Sequence, residues 1–461
     1  MKRKVKKFLP IFLAVFLALT SMMGCSVQTP GESQASEATS GENEEDSSAA
    51  PTASATVDPA TLPDGFTIKL WHTRGSGKNM EAMEQLIKDF NEQNEYGIIV
   101  EGEHIGNYDE TLAKTMTSVV GGDNPVLIMA SDDGIPTLAE KGQLADLKPY
   151  VDRDGFDMDN ILKGHSSSVI HNGQIVSMPY VRSTAVFFYN KTIWDEMGFE
   201  APKSFEELKE QCAKITAEKG IYGFGMWPDP GYYNEALLIS LGGSGMVSPD
   251  GKSCSALHDG SMLKKLTEWR SWVDEGWCMP YDVTSAETTM KDNFYQGKVA
   301  SMFASSAGLG NMIKNSQEAG FELGVSNMVV YGGYGTATGG GNLCVLKQNH
   351  SEEEIAAAWE FIKFALSDEQ SVNNAILTGY LPTTYTAAES AKMEEYYASN
   401  PLAKVAYGQS EYAMERVWSP YRAEWNSALK TGFSYLIQDR SMTPEEVLDY
   451  LITQEKQIFG V

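Results

Sequence analysis

A short apolar run in the middle of the chain constrains the fold more than any other stretch. Residues 179–191 read Pro-Tyr-Val-Arg-Ser-Thr-Ala-Val-Phe-Phe-Tyr-Asn-Lys. The apolar part, residues 185–189, has the length of one buried strand and is too short for a helix. Long stretches of helix and strand signals lie on both sides of it. We therefore expect a strand that crosses between two lobes, with a bend at residues 182–184.

The first part of the body carries the pattern of an α/β lobe. Short apolar runs alternate with apolar residues at helical spacing, in the order 66–71, 78–94, 97–101, 110–120, 126–129 and 135–141. This alternation predicts parallel strands joined by helical crossovers. In the helix at 110–120 we expect Leu112, Met116 and Val119 to face inward.

The second part repeats this pattern, and the chain then crosses back. A capping box at Ser204 and Glu207 begins a helix at 204–219, and a strand ends at residue 303. Gly339-Gly340-Gly341 leads into a second apolar crossing, and residues 378–382 form a third. We therefore expect a two-lobed fold joined by a multi-crossing hinge. Lobe 1 comprises residues 66–182 and 342–380, and lobe 2 comprises residues 183–341 and 381–461.

The N-terminus predicts export and attachment to a membrane. Five cations precede an apolar core at residues 8–20, which ends in Ser21-Met22-Met23-Gly24-Cys25. The small residue before Cys25 resembles the lipobox of bacterial lipoproteins and implies a signal peptide over residues 1–25 with a lipidated Cys25. An ordinary secretory signal is the alternative. Residues 26–63 contain no Lys or Arg and are rich in Ser, Glu, Thr, Ala and Pro, which predicts a disordered acidic tether.

Charge and composition exclude several classes of partner. The net charge of −26 argues against nucleic acid or anionic lipid as a ligand. The scattered histidines and cysteines show no metal-binding spacing, and we expect neither a metal nor a cofactor. Exported proteins can form disulfides, and the sequence alone does not decide whether Cys254 and Cys278 are bridged.

Polar residues follow the predicted strands of the first lobe. His72-Thr73-Arg74 comes after the first strand, Tyr108 lies in a loop, and Ser131-Asp132-Asp133 follows the third strand. Ligands of open α/β sheets bind beyond the carboxyl ends of the strands. This placement predicts that these residues lie near a binding site.

An ordered set of short motifs resembles one protein family. The set is Trp71-His72, Gly106-Asn107-Tyr108, Ser183-Thr184 with Tyr189-Asn190-Lys191, Phe294-Tyr295-Gln296-Gly297, Ser305-Ser306, Gly339-Gly340 and Thr378-Gly379-Tyr380-Leu381-Pro382. Together they resemble the extracellular solute-binding proteins of bacterial ABC importers, in the branch that binds sugars and glycerol-3-phosphate. The resemblance implies two α/β lobes (the class II periplasmic-binding-protein fold) and closure over a ligand. It also implies delivery to membrane permease subunits, and we expect a monomer.

The resemblance carries ligand contacts onto particular positions. These are Tyr108, Asp132, Ser183, Ser305, Gly340 and Tyr380. Aromatic rings cover the apolar face of a sugar, and a carboxylate accepts hydrogen bonds from its hydroxyls. Arg182 borders the hinge, and Trp227 and Trp425 are candidates for stacking on a ligand.

The ligand class depends on charge. The phosphate-pairing arginine of the glycerol-3-phosphate binders would fall at residues 423–425, where no basic residue stands. A buried phosphate without a cation is poorly compensated. We therefore expect a neutral sugar or oligosaccharide, with glycerol-3-phosphate or a glycerophosphodiester as the alternative.

A secreted glycoside hydrolase is the rival from another class. It needs two carboxylates across a cleft, and Asp132 with Glu424 can be nominated. The chain has no nucleophile elbow and no phosphate-binding loop of the required spacing. A surface adhesin or scaffold is a third possibility, and it predicts no closure on a ligand.

Overall fold

The computed structural model describes residues 56–162, 164–228, 233–242, 245–281, 286–414 and 416–461. The predicted signal peptide, Cys25 and residues 26–55 of the tether lie outside the described residues. The last tether residues differ from our expectation, because they join the body. Asp58 caps a short turn at Pro59–Thr61, and Leu62 is buried.

Fourteen strands occur in the described ranges. They are β1 (Thr67–His72), β2 (Ile99–His104), β3 (Leu127–Ser131), β4 (Ile170–His171), β5 (Gln174–Ile175), β6 (Met178–Asn190), β7 (Phe224–Gly225), β8 (Cys278–Met279), β9 (Ser301–Ser305), β10 (Leu323–Asn327), β11 (Val329–Val330), β12 (Gly333–Tyr334), β13 (Thr336–Val345) and β14 (Ala413–Met414).

Seventeen α-helices occur in the same ranges. They are α1 (Gly77–Gln93), α2 (Tyr108–Gly121), α3 (Ile135–Glu140), α4 (Lys148–Asp154), α5 (Lys191–Glu196), α6 (Phe205–Lys219), α7 (Tyr233–Ser240), α8 (Ser261–Asp274), α9 (Ala286–Tyr295), α10 (Leu309–Glu318), α11 (Glu352–Ala365), α12 (Asp368–Thr378), α13 (Tyr385–Ala388), α14 (Ala391–Ser399), α15 (Pro401–Gly408), α16 (Arg422–Phe433) and α17 (Pro444–Phe459). Taken over these same segments, no helix is both long enough and apolar enough to cross a bilayer.

One sheet runs through the structure in the order β2-β1-β3-β13-β6-β9-β7-β8. At one end β1 pairs in parallel with β2 and β3, as the alternation of strands and helices predicts. At the other end β7 pairs in parallel with β8 and β9. The two long central strands, β6 and β13, pair antiparallel with each other and join the two ends.

The hydrophobic core divides along β6. Met178, Tyr180 and Val181 pack with residues of β1, β3, α1 and α11. Ala185 and Phe187 pack instead with residues of α6, α8, α16 and α17. A single strand therefore contributes to two cores, which supports the predicted crossing.

The lobe boundaries stay a prediction, and one helix departs from them. We place residues up to 380 in lobe 1. Val372 and Ala375 of α12 nevertheless pack in a cluster with Leu381 and with residues of β9 and α10. Two side chains of α12 thus pack with elements that we assign to lobe 2 before the third crossing.

The central strands differ in two ways from the sequence prediction. β6 is one continuous strand of 13 residues, with no break at residues 182–184. Gly340 and Gly341 lie inside β13 and not in a loop before it. Gly340 has a φ of 138°, and an added Cβ there would collide with the carbonyl oxygen of Val181. A Cβ on Gly341 would lie 2.5 Å from the Tyr108 hydroxyl.

The structure also bears on the inward face of α2 and on the pairing of the cysteines. Helix α2 buries Thr111, Thr115, Ser118 and Val119, and it leaves Leu112 and Met116 half-buried. The inward face is therefore rotated from the predicted one, and Thr111 on this face donates to the carbonyl oxygen of Asn107. Cys212, Cys254, Cys278 and Cys344 are buried and unbridged, so the disulfide between Cys254 and Cys278 is absent.

Candidate functional site

The three chain crossings meet at Arg182. In the antiparallel pairing of β6 with β13, Ser183 lies opposite Gly339 and Arg182 lies opposite Gly340. The third crossing adds a bridge on the other side, where the Leu381 amide donates to the carbonyl oxygen of Arg182 at 2.7 Å. The backbone of Arg182 is therefore held by both returning segments.

The side chain of Arg182 forms a buried polar network. It is fully buried and donates to Asp132 Oδ2 at 2.5 Å, to the His165 carbonyl oxygen at 2.8 Å and to Asn342 Oδ1 at 2.7 Å. The Ser168 hydroxyl donates to the other carboxylate oxygen of Asp132.

This network changes the interpretation of two predicted ligand contacts. Asp132 and Arg182 pair with each other, and both Asp132 oxygens already accept hydrogen bonds. In this arrangement their opposite charges compensate each other at the crossing, and contact of either residue with a solute stays a prediction.

The charge of Arg182 fixes the protonation of its neighbours. Burial alone would raise the pKa of Asp132, but the nearby charge and hydrogen bonds of Arg182 outweigh it and hold the pKa below its ordinary value. Burial, assisted by Arg182, lowers the pKa of His165 to about 3, so this histidine is neutral. The interior of the hinge therefore holds one compensated ion pair.

A second polar cluster surrounds Arg74, which follows β1. Its Nη1 donates to the Tyr380 hydroxyl at 2.7 Å, and its guanidinium carbon lies 4.2 Å from the centre of the Tyr380 ring. The hydroxyl of Tyr108 is buried near Arg74, and burial raises the pKa of both Tyr108 and Tyr180, the latter to about 12. Burial, together with the charges of His104 and Arg74, lowers the pKa of His72 to about 4.

The serine and glycine positions lie close to this cluster along the central strands. Ser183 is buried opposite Gly339, next to Gly340 in the pairing. Ser305 ends β9, where its side chain caps the following turn. The Ser306 hydroxyl accepts from the Thr184 amide at 3.2 Å, and a Cβ on Gly379 would lie 3.0 Å from the Ser306 carbonyl oxygen. The turn after β9 therefore touches the third crossing, which carries Tyr380.

The structure thus brings most of the resemblance-derived positions to one region around the crossings. Contact of these side chains with a ligand stays a prediction. Arg74 is the residue of this region to which the sequence reasoning gave no specific role. Its position after the first parallel strand was the available signal.

The two tryptophan candidates differ in position. Trp227 follows β7, is half-buried and packs edge-on against Tyr233 at a ring separation of 6.2 Å. Trp425 is fully buried, donates to the Met246 carbonyl oxygen at 2.7 Å and packs against Phe459. Trp425 is therefore a core residue, and the prediction that it stacks on a ligand is not supported by its position.

A cluster of charged residues bridges the two cores, and sequence reasoning missed it. Arg416 lies 2.6 Å from Asp133, which follows β3, and 3.0 Å from Glu235 of α7. Arg422 lies 3.1 Å from Glu235 and 4.0 Å from Asp133. Asp133, after β3, was visible in the sequence, but its arginine partners lie more than 280 residues away and carry no local signal.

The described residues give little support to a metal site or to the second carboxylate that a glycosidase would need. Within the described ranges, no group of three or more His, Cys, Asp or Glu side chains is arranged to hold a metal ion. Glu424, nominated as a glycosidase carboxylate, is exposed on the first turn of α16.

The pair of Arg182 and Asp132 gives a pH-dependent stability. Asp132→Asn leaves a buried cation without its partner, and we expect the free energy of unfolding at pH 7 to fall by about 3–5 kcal/mol. Because the pKa of Asp132 is lowered by folding, its contribution is complete above the unfolded pKa of about 4 and is lost as the pH falls below it. The difference in the free energy of unfolding between wild type and Asp132→Asn, measured by urea denaturation, should therefore become smaller as the pH falls below 5.

Asp439→Asn removes an exposed carboxylate and is the matched control. Its free energy of unfolding in urea should equal that of the wild type. An Asp132→Asn protein as stable as the wild type at pH 7 would contradict the assignment.

Comparisons with known proteins agree with this architecture. The family model described as "Bacterial extracellular solute-binding protein" matches residues 85–403. The sn-glycerol-3-phosphate-binding periplasmic protein UgpB of Brucella melitensis biotype 1 is 26% identical over 356 residues, which cover 72% of this chain and 78% of that protein.

Solved structures share the fold. The GacH receptor of Streptomyces glaucescens, crystallised unliganded and with acarbose, has a TM-score of 0.75 at 22% identity, covering 86% of this chain and 99% of that one. UgpB of Mycobacterium tuberculosis in complex with glycerophosphocholine also has a TM-score of 0.75 at 22% identity, covering 86% and 98%. The fold is therefore the two-lobed α/β fold of periplasmic binding proteins, and the chain belongs to the family of bacterial extracellular solute-binding proteins that serve ABC importers.

Proposed function

We propose that this protein captures a small hydroxylated solute in a cleft between two α/β lobes and delivers it to the permease subunits of an ABC importer. The solute classes that we consider are sugars or oligosaccharides and phosphorylated glycerol compounds. Binding and hinge closure are the whole of the activity, without chemical conversion of the ligand.

The observation that carries this proposal is the shared strand β6 and its pairing with β13. β6 contributes side chains to both cores, β13 pairs with it across the junction, and the Leu381 amide of the third crossing bonds to Arg182 of β6. Around this junction stand the hydroxyls of Tyr108 and Tyr380, the backbone of Gly340 and the serines at positions 183 and 305. A junction of three extended segments allows two lobes to close over a bound molecule, as hinged binding proteins do.

Both ligand classes have support among the relatives. GacH was crystallised with acarbose, and the tuberculosis UgpB with glycerophosphocholine. Tyr108, Tyr380 and Trp227 suit the apolar face of a sugar or a glycerol backbone. The second class is favoured by Arg74, a buried cation beside Tyr380.

The absence of catalysis is likewise part of the proposal. Asp132, one of the carboxylates nominated for glycoside hydrolysis, is engaged by Arg182 and Ser168, and its lowered pKa keeps it ionised at neutral pH. A general acid needs a raised pKa, so Asp132 does not suit that role.

We expect the protein to work outside the cell as a monomer held near the membrane. Cys25 carries a lipid, residues 1–24 are removed, and residues 26–55 form the acidic tether. Such an anchor keeps the binding protein close to its permease.

Ligand binding tests the proposal directly. Thermal-shift and calorimetric titration of the purified chain against maltotriose, glycerol-3-phosphate and glycerophosphocholine should give a saturable response without product formation. Tyr380→Ala removes a ring that packs on Arg74, and we expect it to weaken binding at least about tenfold.

Tyr412→Ala, at a tyrosine that is 39% exposed and packs against Tyr334, serves as the control and should bind normally. Turnover of a glycoside, or unchanged binding in Tyr380→Ala, would contradict the proposal.

The lipid anchor is tested separately. In cells, Cys25→Ser removes the thiol that is acylated, so the variant should leave the membrane fraction and appear in the soluble fraction. A Ser21→Ala chain, altered in the same segment without loss of the thiol, should stay membrane-bound. Equal membrane retention of Cys25→Ser and the wild type would argue for another mode of attachment.

A further inference from the structure

Arg74 is a buried cation without a carboxylate partner. Its side chain is 5% exposed, and its Nη2 has no hydrogen-bond partner within the described residues. The charged or ionisable groups that act most strongly on it are three tyrosines, Tyr380, Tyr108 and Tyr180. A buried charge normally requires an opposite charge or a full set of hydrogen bonds.

The other buried arginines around the crossings are compensated. Arg182 pairs with Asp132. Arg416 and Arg422 share Asp133 and Glu235, so two cations face two carboxylates. These two groups are each neutral overall, and Arg74 is the cation of this region that is left over.

Nearby acidic residues do not fill this role. Arg74 lines a groove of about 510 Å³ together with Glu84 and Glu92 of α1. Neither glutamate forms an ion pair with it across the portion of the chain that is described. The Arg74 guanidinium donates to the Tyr380 hydroxyl, and the Arg74 backbone amide donates to Nδ1 of His72. His72 is neutral, since its pKa is about 4.

A long helix begins three residues after Arg74. β1 ends at His72, and the 17-residue helix α1 begins at Gly77 after the short link Thr73–Ser76. Ser76, the N-cap of α1, makes no side-chain cap hydrogen bond, so the first amides of the helix lack a side-chain acceptor. Uncapped amides at a helix N-terminus after a parallel strand favour negative charge. Tyr108 adds a further donor, because burial keeps its hydroxyl protonated.

We infer that Arg74 is the anchor for an anionic group of the bound solute, and that the ligand is a phosphorylated or otherwise anionic polyol rather than a neutral sugar. This inference rests on the proposed function, whose ligand class it narrows. An anionic oxygen of the solute would accept a hydrogen bond from Nη2 of Arg74. It would also supply the negative charge that Arg74 lacks in the free protein. It also revises the sequence argument for a neutral ligand, because the cation comes from the link after β1 and not from residues 423–425.

The test compares charged and uncharged probes on the full chain. Inorganic phosphate, glycerol-3-phosphate, glycerophosphocholine, glycerol and maltotriose are titrated against the wild type, Arg74→Gln and Arg74→Lys. The matched control is Arg440→Gln, which makes the same charge change at a half-exposed arginine paired with Asp274 on the second core. We expect anionic probes to bind more tightly than their uncharged counterparts, and added salt to weaken them.

The Arg74 variants then separate an effect on ligand affinity from an effect on the stability of the protein. Arg74→Gln should lower affinity for the anionic esters about 10- to 100-fold, the range for a lost hydrogen bond to a charged group. Arg74→Lys should retain part of that affinity. Without ligand, Arg74→Gln should melt at the same temperature as the wild type or higher, because it removes an uncompensated buried charge. Binding of inorganic phosphate alone would identify a free anion as the ligand, and tighter binding of an ester would identify a phosphorylated polyol.

The outcomes that overturn the inference are distinct from those that overturn the proposed function. Saturable binding of maltotriose that Arg74→Gln leaves unchanged, with no anion binding, refutes the inference and leaves solute capture intact. A lower melting temperature of ligand-free Arg74→Gln with unchanged anion affinity assigns Arg74 a structural role only. If Arg74→Gln fails to fold, Arg74→Lys and the charge preference of the wild type decide the question. No binding of any probe counts against both.

Discussion

The antiparallel pairing of β6 with β13 is the interaction on which the rest of the structure depends. β6 contributes side chains to both cores, and β13 pairs with it across the junction, so the hydrogen bonds between the two strands link the two lobes. At their midpoint the ion pair of Arg182 with Asp132 ties the carboxyl end of β3 to the crossing. Buried ion pairs contribute little net stability but strongly disfavour arrangements in which one partner is left alone. Loss of either partner would therefore leave an uncompensated charge buried at the crossing.

The closely packed backbone at the junction explains its glycines. Gly340 and Gly341 let β13 approach Val181 and let the Tyr108 hydroxyl lie against the strand. A side chain at Gly341 would push the tyrosine away from the strand, and one at Gly340 would collide with the backbone of Val181. The same residues that permit the crossing thus bring Tyr108 toward Arg74 and Tyr380, and fold and candidate site share one origin.

Much of the architecture could be predicted from local patterns, whereas the pairing of distant charges could not. The apolar run at 185–189, the helix cap at Ser204 and the alternation of strands with helices all have short-range causes, and the structure contains these elements. The family resemblance predicted Asp132 as a ligand contact, but no local pattern indicates that it also pairs with Arg182, 50 residues away, and accepts from Ser168. Trp425 shows the same limit, since burial against Phe459 is set by the packing of α16 on α17.

The central claim is that two lobes close over a solute, and an interlobe distance tests it most directly. Val120 on one side is 86% exposed, and the Lys314 side chain on the other is 72% exposed. Spin labels at Val120→Cys and Lys314→Cys, in a Cys25→Ser background, report their separation, because the other four cysteines are buried. A pair at Val120 and Lys88, both on the first side, is the control. The account predicts that a binding solute shifts the Val120–Lys314 distance distribution and leaves the control unchanged. An identical distribution with and without saturating ligand would contradict it.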